Sequence, residues 1–132
     1  MNDKNDLIEI DEKSKNIVNL IHSGEIKSSF IETIFLTSDT VAGTSYIEDI
    51  IELEPKLAIG DKLDFIREMN NPYDDNAILV RHKGNKIGYF PMQNNEILSN
   101  LMDAGKLIYG IIKSKNFHDE WLKIDLEVFL EE

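Results

Sequence analysis

Five apolar residues at alternate positions, Leu122, Ile124, Leu126, Val128 and Leu130, constrain this chain more than any other feature of its sequence. A period of two puts all five on one face, so the run is a strand with one core side, and Trp121, Lys123 and Phe129 point to the other side. A one-sided strand needs neighbours to pair with and a layer to cover it. Leu63, Phe65 and Arg67 share one face of a second strand in KLDFIRE, and Gly84 makes a hairpin turn between AILVRH and KIGYF. FIETIFLT is rich in β-branched and aromatic residues, and VAGTSYIEDI follows after a polar TSDT break, so two further strands are expected there.

Residues 95–104 are the exception to β structure. Asn94 or Asn95 caps a helix, Glu96 sits in its first turn, Ile97, Leu98, Leu101 and Met102 form one stripe, and Gly105 ends it. Several short strands with one core-packed helix suit a small closed or nearly closed barrel, because closure removes exposed sheet edges. The start of the chain has a different character. Ile17, Val18, Leu20 and Ile21 lie among Glu and Lys in residues 11–23, an amphipathic helix ending at Gly24, while residues 2–6 are polar enough to be disordered. The expected division is an N-terminal extension over residues 1–28 and a β domain over 29–132.

A length of 132 residues fits one such domain, and the absence of cysteine excludes disulfides and thiolate metal sites. No long apolar run near the start serves as a signal peptide or membrane span, so a soluble, cytoplasmic protein is expected. The net charge of −11 argues against nonspecific nucleic-acid binding, which normally rests on a basic patch. The acid is unevenly spread. Residues 66–119 carry 6 acidic and 7 basic side chains, against 14 and 6 in residues 1–65. A local patch from Arg81, Lys83, Lys86, Lys113 and Lys115 is compatible with that distribution, and so are solvated lysines on strand faces.

Three segments carry candidate chemistry. In NNPYDDNAILV, Pro72 fixes its own φ and pushes Asn71 toward extended geometry, which presents Tyr73 and Asp74 at the tip of a rigid turn. A carboxylate accepts hydrogen bonds only and a tyrosine hydroxyl both donates and accepts, so the pair suits a sugar hydroxyl and rejects a phosphate by charge. The alternative is structural, with Asp74 and Asn76 capping the turn's own amides. In VAGTSY, Gly43 between small residues allows close approach of a ligand, and Tyr46 offers a ring for stacking or a half-buried core side chain. In KSKNFHDEW, Phe117 and Trp121 lie near Lys113 and Lys115, an interleaving that favours single-strand binding; Trp121 with Phe129 is equally suited to cover the Ile17–Ile21 stripe. Catalysis has little support. His22, His82 and His118 are widely spaced, and no nucleophile, metal-binding pair of histidines or Gly-rich phosphate loop is present. Glu68, Asp74 and Asp75 are more simply turn carboxylates than magnesium ligands.

The order and spacing of VAGTSY, GDKL, IRE, NPYDDNAI, GYFP and DAGK resemble the signature of the HIRAN family. These are small domains found alone in bacteria and attached to helicase-like DNA-repair translocases. The resemblance implies an OB/SH3-like β-barrel and a noncatalytic, cofactor-free module that recognises single-stranded DNA or DNA 3′ ends in repair, recombination or mobile-element processes. A helicase or nuclease is the implied partner protein. It also implies that Val41, Ala42, Gly43 and Tyr46, the turn residues Asn71, Tyr73 and Asp74, and Tyr89 of GYFP belong to the DNA-contacting surface. Lys113, Lys115, Phe117 and Trp121 join that surface from the residue chemistry alone. DNA-binding relatives can carry a basic residue before the tyrosine of the first segment, where this chain has Ser45. The competing reading is an acidic protein-interaction module that docks on a basic partner.

Overall fold

The computed structural model of the protein describes residues 32–132. The expected helix at residues 11–23, the disordered start and the boundary near Ser28 lie outside the described residues. Six strands form a single antiparallel sheet: β1 (Thr33–Thr40), β2 (Lys62–Arg67), β3 (Ile78–His82), β4 (Asn85–Tyr89), β5 (Leu107–His118) and β6 (Trp121–Glu131). Their spatial order is β1-β6-β5-β2-β3-β4. Helix α1 (Ile50–Leu53) lies between β1 and β2, and α2 (Glu96–Asp103) lies between β4 and β5.

The five alternating residues of β6 are all buried, as the period of two requires. They pack with Leu57, Leu63, Phe65, Ile78, Val80, Ile87, Phe90, Leu98 and Ile112 in one core. Each buried aliphatic side chain contributes about 1.5–3 kcal/mol, so this layer dominates the stabilisation of the sheet. The opposite side of β6 places Phe129 between Tyr109 and Phe35, with ring centroids 5.9 and 5.7 Å away. The Lys83–Gly84 turn joins β3 to β4 as expected, with both residues at positive φ.

Two expectations are corrected. TSDT does not break the first strand but completes it, and VAGTSYIEDI forms no second strand. Gly43 adopts φ 79°, the 3-10 turn Thr44–Tyr46 follows, and the chain runs on into α1. The same geometry explains why the sheet is not a closed barrel. Val41 N–H still reaches Ile124 O on β6 at 2.8 Å, and Ala42 exchanges two backbone hydrogen bonds with Tyr89 on β4, at 2.8 and 2.9 Å. The left-handed turn at Gly43 then takes the chain away, so the two ends of the sheet meet at one bridge and not along a ladder.

Helix α2 forms where expected and ends at Gly105, whose N–H bonds to Met102 O at 2.9 Å while that of Lys106 bonds to Leu101 O at 3.0 Å. Leu98, Leu101 and Met102 face the core, but Ile97 is 73% exposed and falls outside the stripe. Asn95 does not cap through its side chain, because that amide is directed to Asp74.

Candidate nucleic-acid interface

The NPYDDN turn is held by its own polar side chains. Asn71 Oδ1 accepts the backbone N–H of Tyr73 at 2.8 Å and of Asp74 at 3.1 Å, while Asn71 Nδ2 donates to Glu68 Oε1 at 3.0 Å. Asp74 Oδ1 accepts Asn76 N–H at 2.9 Å, and Asp74 Oδ2 accepts the amide of buried Asn95 at 2.8 Å. Ser99 Oγ donates to Asn76 Oδ1 at 2.9 Å, a second tie to the α2 region. Arg67 braces the far side: Nε and Nη2 donate to the Asp103 carboxylate at 2.9 and 3.1 Å, and the guanidinium also reaches the carbonyls of Ala77 and Asp75. With so many local bonds the tip is rigid, and it presents Tyr73 with 89% of its surface exposed.

Beside the turn lies a groove of about 860 Å³. Its apolar surface comes from Ala42, Met69, Pro72, Ala77, Phe90 and Met92, and its rings from Tyr73 and Tyr89. Tyr89 Oη donates to Glu68 Oε1 at 2.8 Å, so one carboxylate oxygen joins the turn to β4. The bond from Asn71 holds Glu68 below the usual carboxylate range; burial opposes that and the Tyr89 hydroxyl supports it. Burial, together with the anionic Glu68, raises the Tyr89 hydroxyl above its ordinary value. The Lys86 ammonium lies 4.8 Å from the Tyr89 ring centroid. Lys86 and Tyr89 are three apart in sequence and meet because β4 shifts register between Lys86 and Gly88.

The VAGTSY segment approaches the same groove from the other side. Val41 is buried in the core, Ala42 lines the groove, and Gly43 starts the turn that leaves Tyr46 with 91% of its surface exposed. Thr44 Oγ1 donates to Leu122 O at 2.6 Å and fixes this turn on β6. Ala42, Asn71, Tyr73, Asp74 and Tyr89 therefore line one groove, with Gly43 and Tyr46 beside it.

The four remaining candidates do not line it. Phe117 and Trp121 flank the end of the β5–β6 hairpin, where the Trp121 ring stands 5.6 Å from that of His118. Lys113 is exposed at a register shift of β5, and Lys115 is committed to Glu54, bonding its carboxylate and its carbonyl at 2.7 Å each. Sequence reasoning weighed Lys86 only as part of a basic patch and Glu68 only as a magnesium ligand, and it did not select Met69, Phe90 or Met92 as ligand-contacting residues. Their position next to the IRE and GYFP segments was the available signal. Among the described residues no group of three or more metal-ligating side chains is assembled, and no helix is long and apolar enough to cross a membrane.

The HIRAN domain family model matches residues 34–132, and the chain belongs to this family of nucleic-acid-binding modules. A crystal structure of a protein from Lactobacillus plantarum is similar at 31% identity and a TM-score of 0.72, covering 77% of this chain and 98% of that one. The HIRAN domain of human HLTF is similar in fold, at 23% identity and a TM-score of 0.56, covering 75% of this chain and 78% of that one. No curated protein matches the chain by sequence.

Proposed function

We propose that the groove takes the 3′-terminal nucleotide of single-stranded DNA. The observation that carries this reading is the groove's polarity. Its walls are apolar and aromatic, and among the described residues its carboxylates are Glu68 and Asp74 and its one cationic side chain, Arg67, is already bonded to Asp103. A base stacks on such a surface for about 1–3 kcal/mol. A carboxylate has about four acceptor positions, and the turn uses two of those on Asp74, which leaves acceptor capacity for a terminal hydroxyl. A terminal phosphate would meet two carboxylates and no available cation. Tyr73 and Tyr46, each on a turn held by side-chain hydrogen bonds, serve as stacking surfaces on either side. The domain in this reading marks DNA ends for a helicase or nuclease partner in repair, recombination or mobile-element processes.

Fluorescence anisotropy with labelled oligonucleotides ending in a 3′-hydroxyl or a 3′-phosphate tests the reading. The expected result is tighter binding of the hydroxyl end, and loss of that discrimination in Asp74→Asn, which keeps an acceptor for Asn76 N–H while removing the charge. Equal affinity for both ends in the unmodified protein would refute end recognition. Failure to bind single strands of any length would refute the DNA reading as a whole.

A further inference from the structure

A second depression, of about 280 Å³, is lined by Lys86, whose ammonium lies against the groove-lining Tyr89 ring. Tyr46, Glu48, Asp49, Asn85 and Lys86 line it. The chemistry is divided within this hollow. Tyr46 offers an almost fully exposed ring, Glu48 and Asp49 repel phosphate, and Lys86 is the one cation in its lining among the described residues. Lys86 Nζ stands 3.4 Å from Tyr89 Oη, at the ridge between the hollow and the groove. Its position is fixed by the irregular register of β4 and by the cation–π contact with the Tyr89 ring; among the described residues it forms no ion pair within 4 Å, although its charge is felt by Glu68.

We infer that Lys86 is a phosphate-contacting residue that carries the strand from the groove into a second base subsite on Tyr46. The inference rests on the proposed placement of the terminal nucleotide. With that nucleotide in the groove, the backbone must cross the ridge to leave it, and the internucleotide phosphate meets the single cation there. The carboxylates of Glu48 and Asp49 keep the phosphate from sliding deeper, so the next base, and not the backbone, enters the hollow and stacks on Tyr46.

The test is the salt dependence of binding for a labelled single-stranded 10-mer with a free 3′-hydroxyl, measured on the full chain and on Lys86→Gln and Lys86→Arg. Each phosphate contact on a single strand contributes about 0.7 to the slope of log K against log salt. Lys86→Gln is expected to reduce the slope by about that amount, Lys86→Arg to restore it, and the hydroxyl-over-phosphate preference to remain in both. An unchanged slope in Lys86→Gln, with the end preference intact, overturns this inference and leaves the proposed function standing. So does a loss of affinity without a change in slope, since that reports only altered packing on Tyr89. If the unmodified protein binds no oligonucleotide, the proposed function fails, and this inference with it.

Discussion

Gly88→Ala is the substitution that most directly tests how the two ends of the sheet are joined. A Cβ at Gly88 would stand 2.4 Å from Ala42 O and 2.7 Å from Val41 Cγ1, well inside contact distance, and the residue has φ +153°. The blocked oxygen is the acceptor for Tyr89 N–H, and the same bridge includes the bond from Ala42 N–H to Tyr89 O. Losing both bonds costs about 2 kcal/mol, and forcing extra volume into a packed contact costs a further 1–3 or so. The expected destabilisation is about 3–5 kcal/mol, a large share of the roughly 5–15 kcal/mol typical of a domain. Gly60→Ala is the control, because Gly60 has φ +94° but nothing within 4 Å of a Cβ; it isolates the backbone cost, about 1–2 kcal/mol. In urea, with a slope of about 2 kcal/mol per molar, Gly88→Ala should lower the midpoint by roughly 2 M and Gly60→Ala by about 0.5–1 M. Equal shifts for the two variants would refute the claim that close backbone approach makes this bridge depend on glycine.

Two further outcomes follow from the site. The native carboxyl of Glu68 titrates below its unfolded value, so its stabilisation is present above roughly pH 4.3 and is lost as pH falls through the lowered native value. Asn71→Ala removes the largest cause of that shift and should flatten the acid limb of stability between pH 5 and pH 3, followed by thermal melts; an unchanged limb would refute the role of the Asn71–Glu68 bond. Trp121 is 41% exposed with the His118 ring beside it, so Trp121→Ala should leave the melting temperature nearly unchanged. It should weaken binding of oligonucleotides long enough to reach the hairpin end by about 1–3 kcal/mol. A lower melting temperature with unchanged binding would refute a stacking role.

What sequence made legible was periodic or strongly punctuated. The alternation in β6, the Leu63–Phe65–Arg67 face, the Lys83–Gly84 hairpin and the glycine end of α2 each depend on local rules that no distant contact overrides. The polar TSDT segment misled because its partner is remote. Thr40 Oγ1 and Ser114 Oγ donate to the two carboxylate oxygens of Asp125 at 2.6 and 3.1 Å, so polar side chains are satisfied across three strands. Asn95 misled for the same reason. It reads as a helix cap, yet a carboxylate 21 residues earlier in the chain recruits its amide. The pairing of Lys86 with Tyr89 was illegible because regular alternation puts residues three apart on opposite faces, and only the shifted register of β4 reverses that.

The groove also explains how a chain of net charge −11 can belong to a nucleic-acid-binding family. At 0.1 M salt, charge is screened over about 10 Å, so carboxylates far from the groove matter mainly for the approach of DNA and little for the bound state. Within that range, the contacts on offer are rings, methionines, the four carboxylates of Glu48, Asp49, Glu68 and Asp74, Lys86 and the Asp103-bound Arg67, a set that holds bases and hydroxyls well and a run of phosphates poorly. A basic surface would coat any strand along its length. An acidic domain with one stacking groove gains nothing from the interior of a strand that it does not also gain from the end, and its carboxylates penalise every phosphate except the one beside Lys86. In the proposed function, preference for termini over interior sites follows from charge and ring placement together, with no requirement for base-specific contacts.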